Sequence, residues 1–227
     1  MWKNYLMKFK DAFVEVPKLK QLTYPGIRYY IDKNGGKFPS ITTVLGKTKD
    51  MSKLIEWKQR VGEEEAARIS KQATTHGTKF HKECERYLLN EDFDHSILFR
   101  AIRPTLDRIS SVKCLETTLY SNYLGVAGTV DCIAEMDGDL SVIDFKTSRK
   151  TKKEEWIEDY FIQAAFYFYA FYERTNILPS NTKIIITTNE GKVQEFTQTA
   201  RDNKYWVERL KTRINLYNSK REESEYG

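Results

Sequence analysis

The segment from Val126 to Thr147 most constrains what this chain can fold into. Residues 126–136 and 140–147 are two runs of β-forming residues, and Asp137-Gly138 followed by Asp139 between them is a hairpin signal. Side chains alternate faces along a strand, so Asp144 and Lys146 share one face while Ile143 and Phe145 take the other. Folding the first run back on the second carries Asp131, in Gly128-Thr129-Val130-Asp131, toward the end of the hairpin that holds Asp144. Two carboxylates then converge beside a lysine. Hard oxygen ligands with no accompanying Cys/His cluster suit Mg²⁺ or Mn²⁺ rather than zinc. Taken alone the pattern is weak, because an aspartate and a lysine two residues apart on a strand are more often a solvent-facing ion pair.

Flanking segments add weight. Upstream, Phe80, Cys84, Tyr87 and Leu88 recur at helical spacing, with Thr74 or Thr75 as N-cap candidates, and put His81 and Glu85 one turn apart on one helix face. The chain has only three histidines, so one beside an acid near an apolar stripe is a candidate ligand or substrate-positioning group. Downstream, residues 152–174 read as a long helix whose aromatics pack a core. Gln163, one turn before Tyr167 on the same face, is not explained by packing.

The ordered series Gly77-Thr78-x-x-His81-x-x-x-Glu85, Gly128-Thr129-Val130-Asp131, Asp144-x-Lys146 and Gln163-x-x-x-Tyr167 resembles the RecB-like branch of the PD-(D/E)xK nuclease superfamily. Within that branch it is similar to a group of mitochondrial and phage-encoded exonucleases, also through Phe38-Pro39-Ser40-Ile41-Thr42-Thr43-Val44-Leu45. The likeness runs from about residue 25 to 170. Val130 replaces the proline before the first acid. The resemblance implies an α/β fold with a mixed central sheet flanked by helices, and Mg²⁺- or Mn²⁺-dependent hydrolysis of phosphodiester bonds. It assigns Asp131, Asp144, the Phe145 carbonyl and His81 to the metal, with Glu85 binding a second metal or orienting His81. Lys146 would orient water or neutralise charge, its pKa lowered enough by burial beside a cation to help as a base. Gln163 and Tyr167 would position the catalytic strand or the DNA backbone. Glu116 on the preceding strand is a weaker candidate. Some relatives carry a four-cysteine iron–sulfur cluster; Cys84, Cys114 and Cys132 are scattered here, so no cluster is expected.

The substrate expected from this likeness is DNA with a single-stranded or free end, in replication, recombination or repair. Lys79, Lys82, Arg149, Lys150 and Lys152 could track phosphates and Trp156 could stack a base, although lysine runs are usually solvated loops and helical tryptophans usually core. A net charge of +5 permits nucleic acid without demanding it. Competing readings are a structure-specific DNA or RNA endonuclease, a catalytically silent DNA-binding member of the fold, and a metal enzyme of another class. No protein partner is indicated.

Nothing in the chain resembles a signal peptide or a membrane span, and three cysteines argue against a disulfide framework, so an intracellular, cytoplasmic protein is expected. The 227 residues fit one nuclease domain: an N-terminal elaboration over 1–50, helices and core over 51–218, and a frayed tail over 219–227. A lysine-bearing arm, strand or helix precedes Lys20. A hairpin follows over 24–44, turning at Asn34-Gly35-Gly36, then a helix from Ser52 to about Gln72. The helix of His81 comes next, then one over 97–109 that stops or restarts at Pro104. Strands are expected over 114–121, 126–136, 140–147, 183–188 and 192–197, and a last helix over 201–218.

Overall fold

The computed structural model describes residues 9–226, so Lys3 and Lys8 of the N-terminal arm lie outside the described residues. Its centre is a six-stranded mixed sheet in the order β1-β5-β6-β7-β8-β9. β5 (Ile109–Ser121), β6 (Val126–Met136) and β7 (Asp139–Ser148) form an antiparallel meander. α5 (Glu158–Thr175) crosses over to β8 (Asn181–Thr188), which pairs parallel to β7 and antiparallel to β9 (Val193–Thr199). β1 (Lys10–Asp11) adds a short parallel edge on β5. The β6–β7 turn is the one expected: Asp137 and Gly138 both have positive φ, 55° and 89°, as a two-residue hairpin loop demands.

Helices cover both faces. One is packed by α1 (Ile41–Thr48), α5 and α6 (Ala200–Tyr226), where Ile41, Val44, Phe166, Phe171 and Leu210 meet Val126 and Val142. The other is packed by α3 (Glu63–Leu88) and α4 (Ile97–Leu106), where Phe80, Cys84, Phe99 and Ile102 meet Ile143 and Phe145. This two-sided cover explains why β8, Asn-Thr-Lys-Ile-Ile-Ile-Thr-Thr, is buried at every position and shows no alternation in sequence. A separate three-stranded sheet, β2 (Lys20–Tyr24), β3 (Ile27–Ile31) and β4 (Lys37–Pro39), supports α1 from the N-terminal side. No helix among the described residues is long and apolar enough to cross a membrane.

Several boundaries differ from the sequence expectation, among them the start of β5, at Ile109 rather than at residue 114. The hairpin expected to reach Val44 stops at Pro39, because Ser40 caps α1 by accepting the Thr43 N–H at 3.0 Å. Residues 41–44 look β-forming, but burial of Ile41, Val44 and Leu45 at helical spacing overrides that preference. The break expected near Gln72 falls at Gly62, whose φ of 89° ends α2 (Ser52–Val61). α3 then runs unbroken through Thr74 and Thr75, whose hydroxyls bond back to the carbonyls of Ser70 and Lys71 and cap nothing. Pro104 lies inside α4 without interrupting it. α5 starts at Glu158 rather than Lys152, after a 3₁₀ turn over Glu154–Trp156. α6 continues past Asn218 to Tyr226, where a frayed end was expected.

Candidate active site

The β6–β7 ladder is paired from Met136/Asp139 up to Cys132/Ile143 and stops there. Asp131 and Asp144 are the next residues on each strand, so the two acids stand where the strands part. The Asp131 carboxylate replaces the missing rung by accepting the Phe145 N–H on Oδ2 at 2.8 Å. Its Oδ1 faces His81 Nδ1 at 3.4 Å, which α3 delivers across the sheet end. Burial raises the Asp131 pKa, but the charge and hydrogen bond of His81, with Lys146 and the Phe145 N–H, hold it below the ordinary carboxylate value. Burial lowers the His81 pKa and Asp131 overcomes it, leaving the imidazole raised.

Asp144 and Lys146 share a face as period two requires, with Ile143 and Phe145 in the opposite core. Lys146 Nζ lies 2.5 Å from Asp144 Oδ2 and 5.2 Å from the centre of the Tyr160 ring on α5. Asp144 is 1% exposed; its Oδ2 meets the Lys146 ammonium, and its Oδ1 accepts no hydrogen bond among the described residues. Burial, against the pull of Lys146 and with the push of Asp131, raises the Asp144 carboxyl to about 6. The Lys146 pKa is raised, not depressed as expected from sequence: burial lowers it, but Asp144 and Asp131 more than compensate. Lys146 is therefore an ammonium group here, suited to holding negative charge rather than taking a proton.

Gln163 donates to Tyr167 Oη at 3.3 Å, and the buried Tyr167 packs against Gly128, three residues before Asp131. A Cβ on Gly128 would stand 2.8 Å from Tyr167 Oη and 2.9 Å from Ile41 Cγ2, so only glycine lets α5 and α1 approach this strand. Thr129 is tied to β3 by a 3.1 Å bond between its hydroxyl and that of Tyr30. Together these contacts fix the height of β6 just before the acid.

The two remaining acids near the site behave differently. Glu85 is ion-paired with Lys82 at 2.8 Å, and His81 Nδ1 faces Asp131 rather than Glu85. Glu116 comes into the site: His81, Glu116 and Asp131 each offer one ligand atom, all within 4.8 Å of one another. Partial burial, then the charges of Asp131 and Glu85, push the Glu116 carboxyl up to about 7. Its sequence signal was only its place on the strand before Asp131.

A groove of about 1030 Å³ opens beside Thr147 between α2/α3 and the loop after β7. Arg149, Lys150, Lys152 and Trp156 line it, joined by Trp57, Arg60 and Arg68 from the helices. The loop is anchored by Gln194, which accepts the Lys152 N–H at 2.7 Å and donates to its carbonyl at 2.9 Å. Lys79 and Lys82 are exposed on α3 and do not line this groove. Arg60 and Arg68 could have been sought at helical spacing after Trp57, but nothing in the sequence says that this face turns toward Arg149.

An acid pair at parting strands, an adjacent strand lysine and a helical histidine define a class. The model of the PD-(D/E)XK nuclease superfamily matches residues 38–225, and the chain belongs to that superfamily. Among individual proteins, the chain is similar to mitochondrial genome maintenance exonuclease 1 of Xenopus tropicalis. Identity is 30% over 211 residues, covering 84% of this chain and 60% of that protein. The Homo sapiens protein of the same name is 31% identical over 157 residues, 63% of this chain and 44% of its own length. The chain thus spans about half to three fifths of the curated relatives it matches.

The superfamily uses divalent metals, and the residues present fit one. Asp144 offers a buried carboxylate whose Oδ1 has no hydrogen-bond donor, and Asp131 and His81 add a second acid and an imidazole. A buried carboxylate left in this state is costly without a cation, and the donor set is hard, as Mg²⁺ or Mn²⁺ requires.

Proposed function

We propose that this protein is a Mg²⁺- or Mn²⁺-dependent deoxyribonuclease that hydrolyses phosphodiester bonds at single-stranded or free DNA ends. One observation carries the reading: the buried Asp144 carboxylate, with one oxygen against the Lys146 ammonium and the other without a donor, lies next to a basic, aromatic-lined groove that Thr147 and Tyr160 help to line. Asp131, Asp144, the Phe145 carbonyl and His81 would hold the metal. When bound, it supplies a Lewis acid for the scissile phosphate and lowers the pKa of the attacking water.

The chain's own residues do the rest. Lys146, kept charged by Asp144 and Asp131, holds the negative charge that grows on the phosphate and orients the nucleophile. Tyr160, whose ring the ammonium overlies, limits where Lys146 can point. Gln163 and Tyr167 set the position of the Gly128–Asp131 strand. Arg149, Lys150, Lys152, Arg60 and Arg68 follow the phosphates, and Trp57 and Trp156 offer faces for unpaired bases. That the relatives are named exonucleases supports a requirement for ends. Three free, buried cysteines support an intracellular setting.

The test is incubation with end-labelled linear and circular single-stranded DNA, duplex DNA and RNA, with Mg²⁺, Mn²⁺ or EDTA. Linear single strands should be degraded and EDTA should stop it. Rapid cleavage of closed circles would replace the exonuclease reading by an endonuclease. No cleavage of any substrate would leave a silent DNA-binding member of the fold.

A further inference from the structure

We infer that Arg68 on α3 and Arg149 on the loop after β7 form a phosphodiester subsite across the groove, and that Glu65 occupies it when no strand is bound. The inference rests on the nuclease reading and gives the substrate a second fixed point, away from the cleavage site.

The helix that carries His81 also builds one wall of the groove. Glu65, Arg68, Gln72 and His76 line it at steps of three, four and four residues, so they form one stripe along α3. Ala66 and Phe80, each 1% exposed, face the core and hold that stripe outward. The stripe ends beside Gly77, where a Cβ would stand 3.8 Å from the hydroxyl of Thr147, the residue after Lys146. From Arg68 to His76 is about 12 Å of helix, so a phosphate gripped at Arg68 belongs to the strand beyond the scissile position. The opposite wall is equally fixed. Asn189 donates its N–H to the Ser148 carbonyl at 2.9 Å, and the Ser148 hydroxyl donates to the Lys150 carbonyl at 2.7 Å, which leaves Arg149 between anchored neighbours.

Glu65 is the residue a DNA groove does not need. Among the described residues that line it, Glu65 is the one acid, set against Arg60, Arg68, Arg149, Lys150 and Lys152. Its carboxylate takes the Arg68 fork side on, Oε2 accepting from Nε and Oε1 from Nη2, both at 2.7 Å. Two parallel bonds of this kind are also how a guanidinium grips the free oxygens of a phosphodiester. The Arg68 hydrogen bonds hold the Glu65 carboxyl below its ordinary value against slight desolvation, and the charges of Arg68 and of Arg149 from the other wall add to the pull. Stability does not explain the arrangement. A pair three residues apart on an exposed helix contributes little, and Glu63 and Glu64 already supply acids to the first turn of α3. The Glu65 side chain is 44% exposed, so an arriving phosphate can turn it out into solvent. The empty groove is therefore less basic than the filled one, and a strand gains the Arg68 fork only by displacing Glu65.

Fluorescence anisotropy of the full chain with a labelled single-stranded oligonucleotide in EDTA tests this, alongside cleavage of the same strand with Mg²⁺ or Mn²⁺. Glu65→Gln and Glu65→Ala should each tighten binding roughly two- to fivefold, the range of one exposed ion pair. Arg68→Ala should weaken binding and reduce the slope of log affinity against log salt by about 0.7, one phosphate contact. Arg68→Lys, which keeps the charge and loses the fork, should restore the slope and only part of the affinity. In the Arg68→Ala and Arg149→Ala backgrounds the gain from Glu65→Gln should shrink. An equal gain in all backgrounds is plain long-range repulsion and overturns the subsite, as does unchanged affinity in both Glu65 variants or an unchanged slope in Arg68→Ala. If single strands bind with this pattern and nothing is cleaved with either metal, the nuclease reading fails and the subsite stands. If cleavage proceeds and the pattern is absent, the reverse holds.

Discussion

Lys146 Nζ lies 2.5 Å from Asp144 Oδ2, and the other oxygen of this aspartate, 1% exposed, accepts no hydrogen bond among the described residues. The pair meets in a place where burial raises the acid and the acid raises the lysine. Such a pair is poised for a third participant of positive charge, and it makes the two residues respond differently to substitution.

Lys146→Ala should lower cleavage by about 10²- to 10³-fold, the range for removing one pre-organised charge stabiliser. It also leaves Asp144 buried without its cation, which should destabilise the metal-free protein by about 3 kcal/mol. Mg²⁺ should then raise the melting temperature of Lys146→Ala by more than that of the wild type. Thermal denaturation with and without Mg²⁺ reads this directly, and an equal or smaller shift in the variant would contradict it.

The pH dependence follows from Asp144. Its carboxyl is raised from 3.8 to about 6, so the folded protein holds this proton more tightly than the unfolded chain. Between those values the folded state binds more protons, and this group lowers metal-free stability as pH rises through the window. Mg²⁺ binds only the ionised form. The gain in melting temperature on adding saturating Mg²⁺ should therefore grow from pH 5 to pH 7. It should vanish in Asp144→Asn at both.

Gly128→Ala tests the packing that sets the strand. The new Cβ would stand 2.8 Å from the Tyr167 hydroxyl and 2.9 Å from Ile41 Cγ2, both on buried side chains that cannot retreat. We expect a loss of about 1–3 kcal/mol on overpacking. Activity should fall further than stability, because the displaced strand carries Asp131. A variant with wild-type melting temperature and turnover would show that the contact is relieved elsewhere.

The groove can be separated from the helix surface by salt. Arg149→Ala with Lys150→Ala should weaken single-stranded DNA binding and reduce the slope of log affinity against log salt by about 1.4, two phosphate contacts' worth. Lys79→Ala with Lys82→Ala, outside the groove, should change the slope by less than half as much. Fluorescence anisotropy across a salt series distinguishes the two, and equal slopes would redraw the path of the strand.

Much of this was legible because it depends on local period and short-range chemistry. The alternation around Asp144, the Asp137-Gly138 turn and the one-turn spacing of Gln163 and Tyr167 each follow from geometry that a few residues impose on themselves. Those features picked out the acids, the lysine and the glutamine–tyrosine pair, while the mixed sheet was implied by the family resemblance. Where the chain was misread, a tertiary contact outweighed a local preference: Ile41 to Leu45 became helix because their apolar side chains meet α5 and β6.

What only the tertiary structure decided is which groups face one another and at what charge. That Glu116 stands opposite Asp131 depends on the β5–β6 register, and register is set by the whole ladder rather than by either strand. The raised state of Lys146 depends on two carboxylates brought from different strands into a space that excludes water, an effect no sequence separation records. The sequence by itself determined the residues that could hold a cation; the folded sheet decided which of them come together.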